Sequence, residues 1–141
     1  MFLDKDSRET TPMKDGIWLE LGAVWGFLAV AMGAFGAHGL KDRLVELGQT
    51  ANFQTAAHYH MYCALALLVV GLLVQSGRSH PAANVAGWAF LTGSVIFSGS
   101  LYLLAVTGLR WLGSITPIGG VAMLVGWAAL AVAAAARTVE P

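Results

Sequence analysis

The chain has 141 residues, of which 57% are hydrophobic and only 11% are charged. Soluble domains carry about 25% charged residues, so this composition excludes an ordinary water-soluble domain. The net charge is zero, with eight basic and eight acidic residues, which excludes a basic surface for nucleic acid.

The first 16 residues mix acidic and basic side chains and contain no apolar core of the kind that signal peptides have. We expect this segment, residues 1–16, to be a disordered tail. The single cysteine, Cys63, lies in an apolar stretch and excludes an internal disulfide.

Four long apolar segments follow the tail, and a helix that crosses the hydrocarbon layer needs about 20 such residues. These segments cover approximately residues 17–37, 56–75, 83–106 and 117–136. Backbone polar groups in lipid must bond within the protein, so these segments are predicted to be helices. The expected fold is an all-α integral membrane four-helix bundle over residues 17–136, followed by a C-terminal tail at 137–141.

The segment between the first two predicted spans has an amphipathic pattern. Leu40, Leu44 and Leu47 recur at i, i+4 and i+7, and Gly48 follows them. This pattern predicts a short helix that lies at the membrane surface. The alternative is a solvated loop.

The start of the fourth span has a capping signal. Thr116 is a cap residue, and Pro117 after it suits the first turn of a helix.

Small residues form stripes along the first and fourth spans, and small residues let membrane helices approach closely. The stripe of the first span consists of Gly22, Gly26, Ala29, Gly33 and Gly36. The stripe of the fourth span consists of Gly119, Ala122, Gly126, Ala129 and Ala133. We therefore predict that the first and fourth helices pack directly against each other.

Polar side chains collect at the membrane face opposite the N-terminus, if the four spans alternate in direction. The candidates are His38, His58, Tyr59, His60, Ser98, Tyr102 and Thr116. Polar groups inside a membrane bundle need partners, so they mark either a packing network or a functional site. Both interpretations remain open for this cluster.

The same residues do not predict a cofactor, a metal site or an enzyme. His58 and His60 are two residues apart and point about 200° from one another on a helix, so they do not chelate one ion. Ser98 with a histidine could imitate a nucleophile and its base, but the surrounding FSGSLY has no helix-breaking elbow.

Three segments of the chain resemble a known family. They are GAFGAHGLK at residues 33–41, FSGSLYLLA at 97–105 and TPIGGVAMLVGW at 116–127. They are similar, in order, to small membrane proteins of domain of unknown function family 423, whose eukaryotic relatives are the transmembrane protein 256 family. The resemblance covers residues 17–136 and implies a four-helix membrane protein, but no particular chemistry.

These features predict a non-enzymatic, multi-pass membrane protein that acts by association in the lipid bilayer. It would be an accessory, assembly or stabilising subunit of a larger membrane complex, or a small homo-oligomer. The alternative is a small-solute or proton transporter or channel, whose pathway the polar cluster would line.

The distribution of basic residues predicts the location and orientation. Lys5, Arg8, Lys14, Arg78 and Arg137 lie on the side of both termini, and Lys41, Arg43 and Arg110 lie on the other. Because basic residues favour the cytoplasmic side, we expect a bacterial inner-membrane protein with both termini in the cytoplasm.

Overall fold

The computed structural model describes residues 16–77 and 80–136, and all long elements in these ranges are helices. The helices are α1, Ile17–His38; α2, Lys41–Glu46; α3, Thr50–Gln75; α4, Pro81–Thr107; a 3₁₀ turn, Arg110–Ser114; and α5, Thr116–Ala135. Helices α1, α3, α4 and α5 are long and apolar enough to cross a membrane. The predicted all-α fold with four spans is confirmed, and the predicted tails lie outside the described residues, apart from Gly16.

Two helices, α3 and α4, begin earlier than the sequence predicted. Helix α3 begins at Thr50, six residues before the predicted start, because its first turns are polar and hydropathy alone assigned them to the connection. Helix α4 begins at Pro81, and the His80 side chain caps it by accepting a hydrogen bond of 3.1 Å from the Ala82 amide.

The predicted short helix between the first two spans is confirmed as α2, which has six residues. Leu44 is buried in a cluster with Phe53 of α3 and Ala105 of α4. Charged side chains occupy four of the five exposed positions of α2, the fifth being Val45, in agreement with an amphipathic helix. The solvated-loop alternative is wrong.

The four spans pack in chain order, because each long helix contacts its neighbours in sequence. Helix α1 packs against α3, α3 against α4, and α4 against α5. The predicted direct packing of the first and fourth helices is wrong: α1 and α5 are not among the contacting pairs of the described residues. Small-residue stripes show which face of a helix packs closely, but they do not specify the partner.

Glycines set the approach of α1 to α3. A Cβ added at Gly22 would lie 2.9 Å from the backbone nitrogen of Leu68, and one at Gly71 would lie 2.8 Å from that of Leu19. A side chain of Phe53 fills the space in front of Gly36. Later residues of α1 meet earlier residues of α3 in these contacts, so α1 and α3 run antiparallel.

The predicted stripe of α1 is divided between two environments. Gly22, Ala29 and Gly36 are buried, whereas Gly26 has only the Ala64 methyl carbon nearby, at 3.8 Å from an added Cβ. An added Cβ at Gly33 would meet nothing within 4 Å. Only part of the stripe therefore packs within this chain.

Helices α4 and α5 also meet through glycine. An added Cβ at Gly93 would lie 2.9 Å from the Met123 side chain, and one at Gly126 would lie 2.9 Å from Phe90. Gly119 faces the backbone of α4 at Phe97. The small residues predicted in the fourth span do serve close packing, but with the third span.

Thr116 is not the helix cap that the sequence predicts. It is the first residue of α5, after Ile115, and its hydroxyl bonds to Ser100 and to the Leu112 carbonyl. Its side chain therefore joins α5 to α4 instead of capping the helix.

Candidate functional site

A polar group of side chains lies where α1, α3 and α4 meet. His60 of α3 is buried, with 6% of its surface exposed, and its Nδ1 shares a hydrogen bond of 3.2 Å with the Tyr102 hydroxyl of α4. The Trp25 indole of α1 stands edge-to-face against the imidazole, with ring centroids 5.0 Å apart. Three helices thus contribute one aromatic ring each.

Trp25 and Ser94 add a second polar link between α1 and α4. The indole Nε1–H of Trp25 donates a hydrogen bond of 2.9 Å to the Ser94 hydroxyl. A buried indole N–H requires an acceptor, and Ser94 supplies it. The sequence analysis missed Trp25, although a tryptophan so far from either end of a span is itself a signal, because tryptophans are enriched at the interfaces.

Two buried polar atoms of this group have no hydrogen-bond partner within residues 16–77 and 80–136. They are the Nε2 of His60 and the hydroxyl oxygen of Ser98, whose residue is 2% exposed. Buried polar atoms are nearly always paired with protein or with ordered water. Both residues line a cleft of about 270 Å³ between α1 and α4, together with Trp25 and Tyr102. We call it the α1–α4 cleft.

The other predicted cluster residues lie elsewhere. His38 is exposed at the end of α1 and makes no hydrogen bond with the described residues, so it is not part of a polar cluster as predicted. His58 and Tyr59 are exposed on α3, where His58 stacks near Tyr62 and Tyr59 contacts Phe97.

Thr116 belongs to a separate contact between α4 and α5. Its hydroxyl lies 2.7 Å from that of Ser100, which also donates a hydrogen bond of 3.0 Å to the Phe97 carbonyl. These hydroxyls are satisfied within the protein, unlike that of Ser98. The predicted single cluster is therefore divided into a buried group at His60, a buried pair at Thr116, an exposed group at Tyr59 and a separate, exposed His38.

The buried group offers hydrogen-bonding chemistry. It supplies an imidazole nitrogen and hydroxyl oxygens in apolar surroundings, and its lining contains no charged residue. Within residues 16–77 and 80–136, no three His, Cys, Asp or Glu side chains are placed to hold a metal ion.

The helices and their apolar exterior define a four-span α-helical membrane protein. The model of the family described as "Protein of unknown function (DUF423)" matches residues 32–120, more than half of the chain. The chain belongs to this family, as the resemblance in the sequence predicted.

Similar proteins are membrane proteins of the same size. A UPF0382 membrane protein of Staphylococcus epidermidis is 48% identical over 117 residues, which are 83% of this chain and 93% of that protein. The UPF0382 membrane protein YwdK of Bacillus subtilis is 44% identical over 118 residues, which are 84% of this chain and 95% of YwdK. No solved structure matches the chain.

Proposed function

We propose that this protein is a non-enzymatic subunit that acts by associating with other membrane proteins or with copies of itself. Its place would be that of an accessory, assembly or stabilising subunit of a membrane complex, or of a small homo-oligomer. The observation that carries the proposal is the open side of α1, the first helix in the row of four.

Helix α1 has few buried residues and borders a groove of about 550 Å³, which α2 and α3 complete. Gly33 and Ala37 of α1 line this groove opposite Met61 of α3. Glycine inside a helix costs about 1 kcal/mol relative to alanine, and Gly33 has no close neighbour in this chain that requires its missing side chain. A helix of another subunit that packs at this position would require it.

The alternative, a transporter or channel, has one supporting observation, the polar α1–α4 cleft. The cleft opens sideways, however, because Leu28 and Val95 in its lining are 40% and 51% exposed on the outer surface of the bundle. The interior beyond it is filled by apolar side chains, including Leu67, Val70 and Phe90, each 0% exposed. This packing supports association over passage through the bundle.

Replacement of Gly33 by leucine tests the association. An added Cβ at Gly33 meets no atom of another described segment within 4 Å, and the side chain extends into the groove, so the isolated protein should keep its stability. Tagged protein would be purified from its native membrane in nanodiscs, and the accompanying proteins identified by mass spectrometry. We expect Gly33→Leu to lose partners or self-association that the wild type retains.

Ala128→Leu is the matched control, because Ala128 is exposed on α5, the helix at the other end of the row. It should retain the same partners as the wild type. A Gly33→Leu variant that copurifies with the full wild-type set, at the same oligomeric state, would contradict the proposal.

Location and orientation are part of the proposal. Five basic residues on the side of the termini against three on the other support a protein of the bacterial inner membrane with both termini in the cytoplasm. The end that carries α2 and the 3₁₀ turn would then face outward.

A further inference from the structure

His60 and Ser98 line the α1–α4 cleft, and each has a buried polar atom, His60 Nε2 and the Ser98 hydroxyl oxygen, with no hydrogen-bond partner among the described residues. An unpaired buried group costs the full free energy of its desolvation. A bound molecule that pairs with both atoms would explain why this cleft is polar at its base.

The position of the cleft limits what can enter. Leu28, on its rim, lies about 15 Å from either end of α1 at 1.5 Å per residue, which is the middle of the span. Val95, on the opposite rim, is similarly central in α4. The mouth therefore faces the hydrocarbon layer, and the ligand must be soluble in lipid.

The lining limits the chemistry of the ligand. It contains no charged side chain, so the bound group is neutral. If the Tyr102 hydroxyl donates to Nδ1 of His60, Nε2 carries the proton and needs an acceptor, and in the other tautomer it needs a donor. A carbonyl oxygen satisfies the first arrangement, a hydroxyl satisfies the second, and the Ser98 hydroxyl pairs with either.

Size and shape favour a flat ring. The cleft, at about 270 Å³, far exceeds the ~30 Å³ of one water molecule, so a single bridging water leaves most of it empty. Its walls include the aromatic rings of Trp25 and Tyr102 and the imidazole of His60. Rings of this kind stack against a flat aromatic or quinonoid ring.

We infer that the α1–α4 cleft binds a neutral, lipid-soluble ring that bears carbonyl or hydroxyl oxygens, the chemistry of a quinone or quinol. One ring oxygen pairs with His60 Nε2 and the Ser98 hydroxyl. The ring lies among Trp25, Tyr102 and the apolar side chain of Met32. The Trp25 indole, which stands edge-to-face against the imidazole, forms one side of the site. This inference does not depend on the proposed association.

The test uses the whole protein in nanodiscs and a benzoquinone with a decyl tail as the probe. Quinones quench tryptophan fluorescence, and Trp25 lies at the site. We expect saturable quenching in the wild type, together with a rise in melting temperature on binding. Ser98→Ala should bind the probe about two- to tenfold more weakly, the effect of one hydrogen bond. His60→Phe should lose saturable binding.

Ser100→Ala is the matched control, since Ser100 lies on the same helix but bonds to Thr116 away from the cleft. Without the probe, Ser98→Ala should melt at or above the wild-type temperature, because it removes an unpaired hydroxyl, and Ser100→Ala should melt below it. With the probe, Ser100→Ala should bind as tightly as the wild type. Ser98→Ala should thus weaken probe binding without loss of stability, and Ser100→Ala should lower stability without loss of binding. The comparison of these two variants distinguishes an effect on binding from an effect on folding, even if His60→Phe does not fold.

Three results would overturn the inference. The first is a wild-type protein without saturable quenching or a melting shift. The second is a Ser98→Ala variant that binds the probe like the wild type. The third is equal competition by dioctanoylglycerol, which would assign the cleft to a lipid hydroxyl without a ring.

Discussion

His60 and Tyr102 connect the two central helices, α3 and α4, through a hydrogen bond. The apolar surroundings offer these two polar atoms few other hydrogen-bond partners. Hydrogen bonds between membrane helices contribute about 0.6 kcal/mol on average and up to about 1.7 kcal/mol. The Tyr102 ring also packs against Phe53, at 4.9 Å between centroids, so a phenylalanine at this position would keep the packing. The contribution of the hydroxyl can therefore be measured separately.

Tyr102→Phe should lower the free energy of unfolding by about 1 kcal/mol, because it leaves the Nδ1 of His60 without its partner. The measurement is unfolding in mixed micelles followed by circular dichroism. Tyr62→Phe is the control, since Tyr62 is 53% exposed and should change stability little. Equal stability of the two variants would show that the hydrogen bond contributes nothing measurable.

His38 and His60 should respond differently to substitution by asparagine. His38→Asn should unfold like the wild type, because His38 is exposed and makes no hydrogen bond with the described residues. His60→Asn should be less stable, because it removes a buried ring that contacts Trp25 and Tyr102. A loss of stability in His38→Asn, measured in the same micelles, would contradict this difference.

Periodicity predicted part of the buried site. The two-residue spacing of His58 and His60 placed them on opposite sides of α3, and the structure has one exposed and one buried. Nothing local indicates which of the two faces inward. Trp25 was missed because its partner, Ser94, is 69 residues away in the chain, and only the packing of α1 near α4 reveals the pair.

At the scale of helices, the effect of replacing a glycine depends on which atoms of the neighbouring helix lie next to it. A methyl group at Gly22 would meet the backbone of α3 at Leu68, which cannot move aside as a flexible side chain can. A methyl group at Gly33 would meet no atom of this chain. The two positions belong to one sequence stripe, yet the same substitution should have opposite effects.

Gly22→Ala should destabilise the protein by about 1–3 kcal/mol, the usual cost of overpacking. Gly33→Ala should leave stability unchanged or raise it by up to about 1 kcal/mol, because alanine favours the helix. Denaturation of both variants in detergent compares them directly. A similar loss at both positions would show that Gly33 also packs within the chain.

The sequence predicted the four helices because each contains about 20 mostly apolar residues, and it predicted their small-residue faces from spacing. It could not predict the partners, because the stripes of α1 and α5 are interchangeable in composition and each fits any helix with a suitable groove. The structure pairs α1 with α3 and α5 with α4, where large side chains such as Leu68 and Phe97 face the glycines. That complementarity depends on residues distant in sequence.

At the scale of the whole molecule, the row of helices places α2 and the 3₁₀ turn at one end. Leu47, just after α2, lies beside Gly108, just before the turn. The opposite end holds the start of α1 and the connection from α3 to α4, where Trp18 donates a hydrogen bond of 2.9 Å to Asn84. A membrane that surrounds the apolar exterior must therefore separate these two ends.

This separation gives a labelling prediction. In a variant with Cys63 replaced by alanine, single cysteines would be introduced at Ser7, in the N-terminal segment, and at Ser114, which is exposed in the 3₁₀ turn. Because basic residues are more numerous on the side of the termini, an impermeant maleimide added to intact cells should label Ser114→Cys. It should label Ser7→Cys only after the cells are lysed. The reverse pattern would invert the orientation but keep the fold. Labelling of both positions in intact cells would contradict the three membrane crossings, by α1, α3 and α4, that lie between Ser7 and Ser114.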